Sequence, residues 1–404
     1  MRRIVLNPLF FVFLTILSDR LGESLVIPLL PYLLERFHPD GVTVGLLTAS
    51  YPLAVFLATS ALGSLSDRYG RRPILLVSVG GTVLSLLLFA GAQSLPQMFA
   101  ARILDGLTGG TVVVALAAVS DISAPEDRAK NFGRVVGPAF GLGFIIGPAL
   151  GGLLARWNVT LPVYAAALIA AANFALGWFS LPADLPRERR EQPLTWRDFN
   201  SFRPILQLRR FGRLSGLLQA YALYNLAFGG VTGLFILYLQ KQFGWSATQS
   251  SFAFVTVGLV AAVVQGGLLQ PLLTRWGEVS LTRFGMGCLV TGVSLIALAG
   301  GSPLWVSVEI YTASAFLALG TGLVVPCLRS LVCNQVSDQE QGQAIGSLQS
   351  LQALGSVIGP AIAGVLFDRL GMSSPFWLGT LLLLASLGLL LVWRQPPART
   401  TVVP

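Results

Sequence analysis

Residues 143–154 read GFIIGPALGGLL, and residues 355–366 read GSVIGPAIAGVL. The two segments lie 212 positions apart in a chain of 404 residues, so each half carries one copy. A weaker echo pairs LSDRYG at 65–70 with LTRWG at 273–277. Self-similarity at half the chain length marks a duplicated architecture with two parallel repeats. Both long segments are apolar, with small residues at fourfold spacing: Gly143, Gly147 and Gly151 in the first copy, with Gly152 beside them. That spacing lets two helices approach closely inside a membrane. Pro148 frees a backbone carbonyl and permits a bend. The string GLGFIIG at 141–147 superficially suggests a nucleotide-binding loop. It lies within an apolar run of membrane length and joins no strand to a helix, which sets that reading aside.

The rest of the chain has the same character. It is 54% hydrophobic and 11% charged, where soluble domains carry about 25% charged residues. Such a chain cannot cover itself with polar groups, and lipid is its natural solvent. Scanning for stretches of about 20 apolar residues predicts twelve spans, at 9–34, 43–66, 73–92, 97–122, 131–155, 160–181, 214–240, 247–273, 279–300, 303–330, 342–367 and 374–393. The net charge of +9 would suit nucleic acid in a soluble protein. Here no compact basic domain exists, and the charge sorts by membrane side instead. Twenty-one Lys and Arg fall on one side of the twelve-span arrangement and only Arg36, Arg156, Lys241 and Arg369 on the other. That bias predicts an inner-membrane protein with both termini in the cytoplasm. Arg2 and Arg3 before an apolar run could mimic a signal peptide, but the run continues to Leu34 without a small-residue cleavage site, so it reads as an uncleaved first span.

The longest polar stretch, 182–213, separates spans 6 and 7. It predicts an organisation of 1–181 as an N-terminal six-helix bundle, 182–213 as a cytoplasmic linker with an interfacial helix, and 214–404 as a C-terminal six-helix bundle. The fold class is therefore an all-α membrane protein of twelve transmembrane helices in two pseudo-symmetric bundles. Cys288, Cys327 and Cys333 have no metal-ligand or disulfide spacing, and His38 is the only histidine. No HExxH, G-x-S-x-G or Walker loop is present, so the chain is read as neither an enzyme nor an ATP-driven pump, and no metal or cofactor is expected.

Three motifs carry a resemblance. GSLSDRYGRRP at 63–73 lies between spans 2 and 3, ARILDGLTGG at 101–110 lies in span 4, and GFIIGPALGG at 143–152 lies in span 5. Together they resemble the major facilitator superfamily, and within it the twelve-span drug/proton antiporters. LSDRLGESLVIPLLPYLLERF (17–37), SDISAPEDRAKNFG (120–133) and EQGQAIGSLQSL (340–351) are similar to segments of the tetracycline/proton antiporter branch. The resemblance covers nearly the whole chain. It implies alternating access to a path between the halves, a small-molecule substrate, protons as coupling ions, the bilayer as setting and a monomer. The loop at 63–76 is then expected to be a cytoplasmic gate built on Gly63, Asp67, Arg68, Gly70, Arg71 and Arg72. Gly63 would permit close helix approach, and Asp67 would pair with an Arg or a helix N-terminus. The branch carries a membrane-embedded Asp in span 3 and another in span 9, where this chain has Ser85 and Leu289. Conversely, Glu23 and Asp105 stand here where the branch has small residues. The resemblance thus supports fold and class, and not tetracycline as the substrate.

Ionisable residues inside a span are costly, about 2.5–3.5 kcal/mol each on insertion scales, and mark functional positions. They are Asp19, Arg20, Glu23, Arg102, Asp105 and Glu309. Asp19 and Glu23 share one face of span 1, and Arg102 and Asp105 one face of span 4. Glu23 lies roughly 21 Å from one membrane surface and Arg102 roughly 8 Å from the other. In a core about 30 Å thick these depths nearly coincide. A Glu23–Arg102–Asp105 cluster is therefore expected, with Asp19 one turn below, acting in proton coupling. Arg20 is expected to snorkel to the interface or to cap a neighbouring helix. Tyr221, Tyr224, Asn225 and Phe228 of span 7, with Glu309, are candidate substrate-cavity residues. The expected function is proton-coupled efflux of a lipophilic or cationic compound. Transport of a metabolite, sugar or lipid-like molecule is the alternative, and a transport-inactive sensor a remote one.

Overall fold

The computed structural model describes residues 7–124, 126–180, 201–202, 214–337 and 340–393. The 182–213 linker lies outside the described residues except for Ser201 and Phe202. The described residues form helices and short connections, with no strand among them. Ten stretches are long and apolar enough to cross a membrane. One of them, Ala247–Leu298, runs 52 residues and breaks at Gly277, where φ is 73° and ψ is 164°. An L-residue rarely adopts such a φ, so the glycine divides this stretch into spans 8 and 9. Span 1 comprises Pro8–Val26, a 3₁₀ turn at Ile27–Leu29 and Leu30–Leu34. It escapes a hydropathy search because Asp19, Arg20 and Glu23 sit inside it. Among the described residues, span 1 and the division at Gly277 bring these ten stretches to the twelve segments expected.

Two spans predicted as continuous are interrupted. Pro28 and Pro31 produce the 3₁₀ turn of span 1. Span 4 is split into Leu95–Thr108 and Thr111–Ile122 by Gly109 and Gly110, whose ψ values of 22° and 2° leave the helix. Span ends are set locally. Asn7 caps Leu9 ahead of Pro8, Asp40 caps Thr43, Ser302 caps Trp305, and Ser246 with Gln249 forms a capping box.

The sequence repeat is also a packing repeat. A β-carbon at Gly143 would collide with Arg20 of span 1, one at Gly147 with Ser24, and one at Gly151 would press on Leu25. In the second half, Gly355 lies against Asn225 of span 7 and Gly359 against Gly229 and Gly230. Gly152 meets Ser251, and Gly258 meets Phe144, which seats span 8 on span 5. Gly41 meets Gly364, and Gly45 meets Pro360, which seats span 11 on span 2.

These last two pairings join the halves on the side opposite the arginine-rich turns. There Tyr32 donates its hydroxyl to Trp245 O at 2.6 Å, and Thr248 donates to Gly152 O at 2.8 Å. The Asp368 carboxylate accepts from Gly41 N at 2.7 Å and Val42 N at 2.8 Å, bridging span 11 to the N-terminus of span 2. On the basic side, β-carbons at Gly133, Gly137 and Gly141 of span 5 and at Gly266 and Gly267 of span 8 would meet nothing within 4 Å. The close contacts between the halves described above lie on the far side, whereas these five glycines on the basic side have open space beside them.

A carboxylate bridging two helix-terminal amides gains both charge-assisted hydrogen bonds and the helix dipole. Losing it costs about 1.5–3 kcal/mol, a tenfold or larger change in population. Asp368→Ala is expected to shift the protein toward the state open on the far side. Spin labels at Trp157→Cys and Met372→Cys, in a background with the native cysteines removed, read this as a longer distance. An unchanged distance distribution would remove Asp368 as the latch.

Candidate functional site

Span 1 places Asp19, Arg20 and Glu23 within two turns of one helix, and Arg20 is their hub. Its guanidinium forms ion pairs with Asp19 and with Glu23. Its Nε donates to Asp19 Oδ2 at 3.1 Å, and its charge lies 5.0 Å from the ring centre of Phe140 in span 5. The side chain is only 16% exposed. Arg20 therefore does not snorkel: Gly143 lets span 5 approach its stem, and the carboxylates on either side hold its head. For the same reason Glu23 pairs with Arg20 rather than with Arg102.

Span 4 supplies the second pair. Arg102 Nη1 lies 3.9 Å from Asp105 Oδ2, a long ion pair. The Arg102 guanidinium lies over Tyr51 of span 2, 4.7 Å from the ring centre. The hydroxyls of Ser85 and Thr82 in span 3 approach Asp105. A small cavity is lined by Asp19, Glu23, Arg102 and Asp105, with Tyr51 and Thr82. Gly22, Val26 and Leu86 form its apolar wall. Asp19, Glu23, Arg102 and Asp105 thus meet at one cavity, organised as two ion-paired groups. Tyr51 and Thr82 carry no sequence expectation, and Ser85 entered only as the position where the antiporter branch has its span-3 Asp. Two hydroxyls three residues apart in span 3 were a usable signal, whereas a single tyrosine in a span was none.

The motif between spans 2 and 3 is anchored on Arg71. Its guanidinium reaches Asp67 at 2.6 Å, Asp121 of span 4 at 2.9 Å and the Ser66 hydroxyl at 2.6 Å. Gly70, at φ 102°, makes the turn that brings Arg71 back over span 2. Arg72 donates to Trp178 O at 2.7 Å, and Arg68 lies over Tyr69. Gly63 makes no close approach, because a β-carbon there would meet nothing within 4 Å in this conformation. The counterpart turn at Gly277 inverts the charge. There Glu278 accepts from Ser330 at 2.5 Å and from Asn334 at 3.3 Å.

The other predicted cavity residues are placed elsewhere. Tyr221 and Tyr224 are almost wholly buried, and Tyr224 stacks on Phe228 at 5.7 Å. Asn225 donates to Tyr221 O within its own helix and packs on Gly355. Asn225 thus sits where span 7 meets span 11, whereas the Tyr221 hydroxyl accepts from Arg329 of span 10 at 3.4 Å. Glu309 accepts from Gly300 N at 3.0 Å, so its carboxylate ties the connection between spans 9 and 10. It is remote from the charged cavity because the free amide after span 9 captures it.

A sequence profile of the Major Facilitator Superfamily matches residues 12–333 and 306–404. The chain belongs to the Major Facilitator Superfamily. Among its relatives in that superfamily, a class C tetracycline resistance protein of Escherichia coli is 34% identical over 364 residues, 89% of this chain and 90% of the relative. Multidrug resistance protein 2 of Bacillus subtilis is 29% identical over 378 residues, 93% and 92% of the two chains. A solved structure of the human organic anion transporter MFSD10 (TETRAN) is 28% identical, with a TM-score of 0.70, covering 95% and 98% of the chains. A D-xylose-proton symporter shares the fold at a TM-score of 0.72 and 15% identity. This superfamily member is accordingly a multi-pass membrane protein of the secondary-transporter type, on the drug-efflux-like branch.

Proposed function

We propose that the protein exports a small amphiphilic organic compound in exchange for protons, by alternating access. One observation carries the reading: three carboxylates and the Arg102 guanidinium line one cavity within the spans, and Arg20 pairs with two of those carboxylates. The relatives named for tetracycline and multidrug resistance agree with it. With all five groups ionised the cavity holds a net charge of −1, which either one proton or one basic nitrogen neutralises. Two ligands that neutralise the same carboxylates exclude each other, and mutual exclusion is what exchange requires. Residues 1–181 and 214–404 would be the two bodies that rock, joined by 182–213. The arginine-rich side would face the cytoplasm, with both termini there, in the inner membrane of the cell. The conformation described is then open to the cytoplasm, the side from which an exported compound loads.

The test is proton flux in proteoliposomes containing a pH dye, against lipophilic cations, tetracyclines and sugars. Substrate-triggered proton movement is expected in the wild type and should vanish in Glu23→Gln while substrate binding persists. Substrate movement without protons would demote the cluster to a structural ion-pair network and leave a uniporter.

A further inference from the structure

Spans 11 and 12 each pack along span 7 but meet each other little, and a narrow cleft is left between them. Its floor is Ala227 and Gly230 of span 7, and its walls are Ile362 and Ala363 of span 11 and Leu378 and Leu382 of span 12. Every residue lining it is apolar, and Ala227, Gly230 and Ala363 carry too little side chain to fill it. Ile362 is 40% exposed and shares a face of span 11 with Ile358 and Val365, at 43% and 38%. Pro360 and Gly364, on another face of the same helix, meet span 2. The cleft therefore opens toward the bilayer and away from the path between the halves. Arg369 continues the exposed face, since residues 358, 362, 365 and 369 follow at steps of four, three and four. It is exposed, lies in the last turn of span 11 and makes no ion pair among the described residues. Its neighbour Asp368 is committed to the amides of Gly41 and Val42. In the copy 212 residues earlier the same position is Trp157, so this cation is particular to the second half.

We infer that the cleft holds one anionic glycerophospholipid of the far-side leaflet, with its phosphate at Arg369 and one acyl chain against Ala227, Gly230 and Ile362. The spacing fits. Arg369 stands seven residues beyond Ile362, about 10 Å along the helix toward the far side. A leaflet contributes about 15 Å of hydrocarbon, half of the 30 Å core, so a phosphate at the surface leaves its chain at the depth of the cleft. Trp377, 44% exposed in the first turn of span 12, adds an interfacial aromatic on the same side. A guanidinium pairs with two phosphate oxygens at once. A free anion would satisfy Arg369 and leave the cleft unused. A packed protein helix would fill the cleft and bury Arg369 without a counter-ion, which is costly. A phospholipid supplies both groups in one molecule, and one held at both ends exchanges more slowly than its neighbours in the bilayer.

The experiment is native mass spectrometry of the purified full chain, equilibrated in detergent with equimolar dioleoylphosphatidylglycerol and dioleoylphosphatidylcholine. One lipid is expected to stay bound at collision energies that strip the rest. Phosphatidylglycerol should be favoured about fivefold, the ratio for one cation at a membrane surface. Arg369→Gln should bring that ratio close to one while a lipid is still retained. Ile362→Trp fills the cleft from its exposed wall and should abolish retention of either lipid. Leu382→Trp does the same from the opposite wall. Gel filtration and a thermal melt confirm that each variant is folded. The absence of a retained lipid in the wild type, retention unchanged in both tryptophan variants, or a preference that survives Arg369→Gln would overturn the inference. Displacement of the lipid by glycerol phosphate would overturn it in favour of a free anion. A dimer that Ile362→Trp separates would overturn it in favour of a second copy of the chain.

Discussion

Arg20→Gln is expected to eliminate the proposed substrate-driven proton movement and to lower the thermal stability of the purified protein. Arg20 is the shared counter-ion of Asp19 and Glu23, and its removal leaves two largely buried carboxylates facing each other across one helical turn. Breaking a buried ion pair by deleting one partner costs on the order of 3–5 kcal/mol. The protein's remaining response is to bind a proton between the two acids and keep it through the cycle, so the site stops sensing which side is open. A thermal melt in detergent and a pH-dye flux assay read the two effects separately. The double variant Arg20→Gln, Asp19→Asn should recover much of the stability, since one carboxylate is gone, while coupling stays lost. Flux near the wild-type level in Arg20→Gln would show that the span 1 triad only sets helix packing.

The second large effect is steric. Gly147→Val should abolish transport and destabilise the fold, because the added side chain falls on Ser24 of span 1. The Ser24 hydroxyl donates to Gly143 O at 2.8 Å, so the collision also breaks a buried link between spans 1 and 5. Overpacking of this kind costs about 1–3 kcal/mol for a few added carbons. Pairing the milder Gly147→Ala with Ser24→Gly restores the space and should recover a good part of the loss. Failure of the pair to recover anything would point instead to Pro148 and the bend of span 5 as the sensitive element.

Periodicity, apolar length and the half-chain echo made the architecture readable, because all three are properties of sequence order alone. The echo of GFIIGPALGG and GSVIGPAIAG was legible as a packing repeat, since glycine spacing states what can approach. The interruption of span 4 was not, because two adjacent glycines in an apolar run are compatible with a continuous helix until span 2 presses on them. At the site, the membership of Asp19, Glu23, Arg102 and Asp105 followed from helical faces and depth. The pairing did not. Which carboxylate an arginine chooses depends on rotamers and on how closely a third helix comes, and Gly143 admits span 5 to Arg20. Tyr221 and Glu309 lie apart from the charged cavity, one against Arg329 and one tied to Gly300. Hydropathy locates a residue along a span without saying whether it faces a cavity, a neighbour or a turn.

The break at Gly109–Gly110 gives span 4 a joint. Its upper segment carries Arg102 and Asp105, and its lower segment carries Asp121, which holds Arg71 at the basic turn. Both glycines are wedged against span 2, at Val55 and Leu62. Span 4 can thus behave as a lever on a fulcrum, with the basic turn at one arm and the charged cavity at the other. Movement at the basic turn would reach Asp105 as a small rotation about a fixed point, and a change of charge at Asp105 would push back along the same beam.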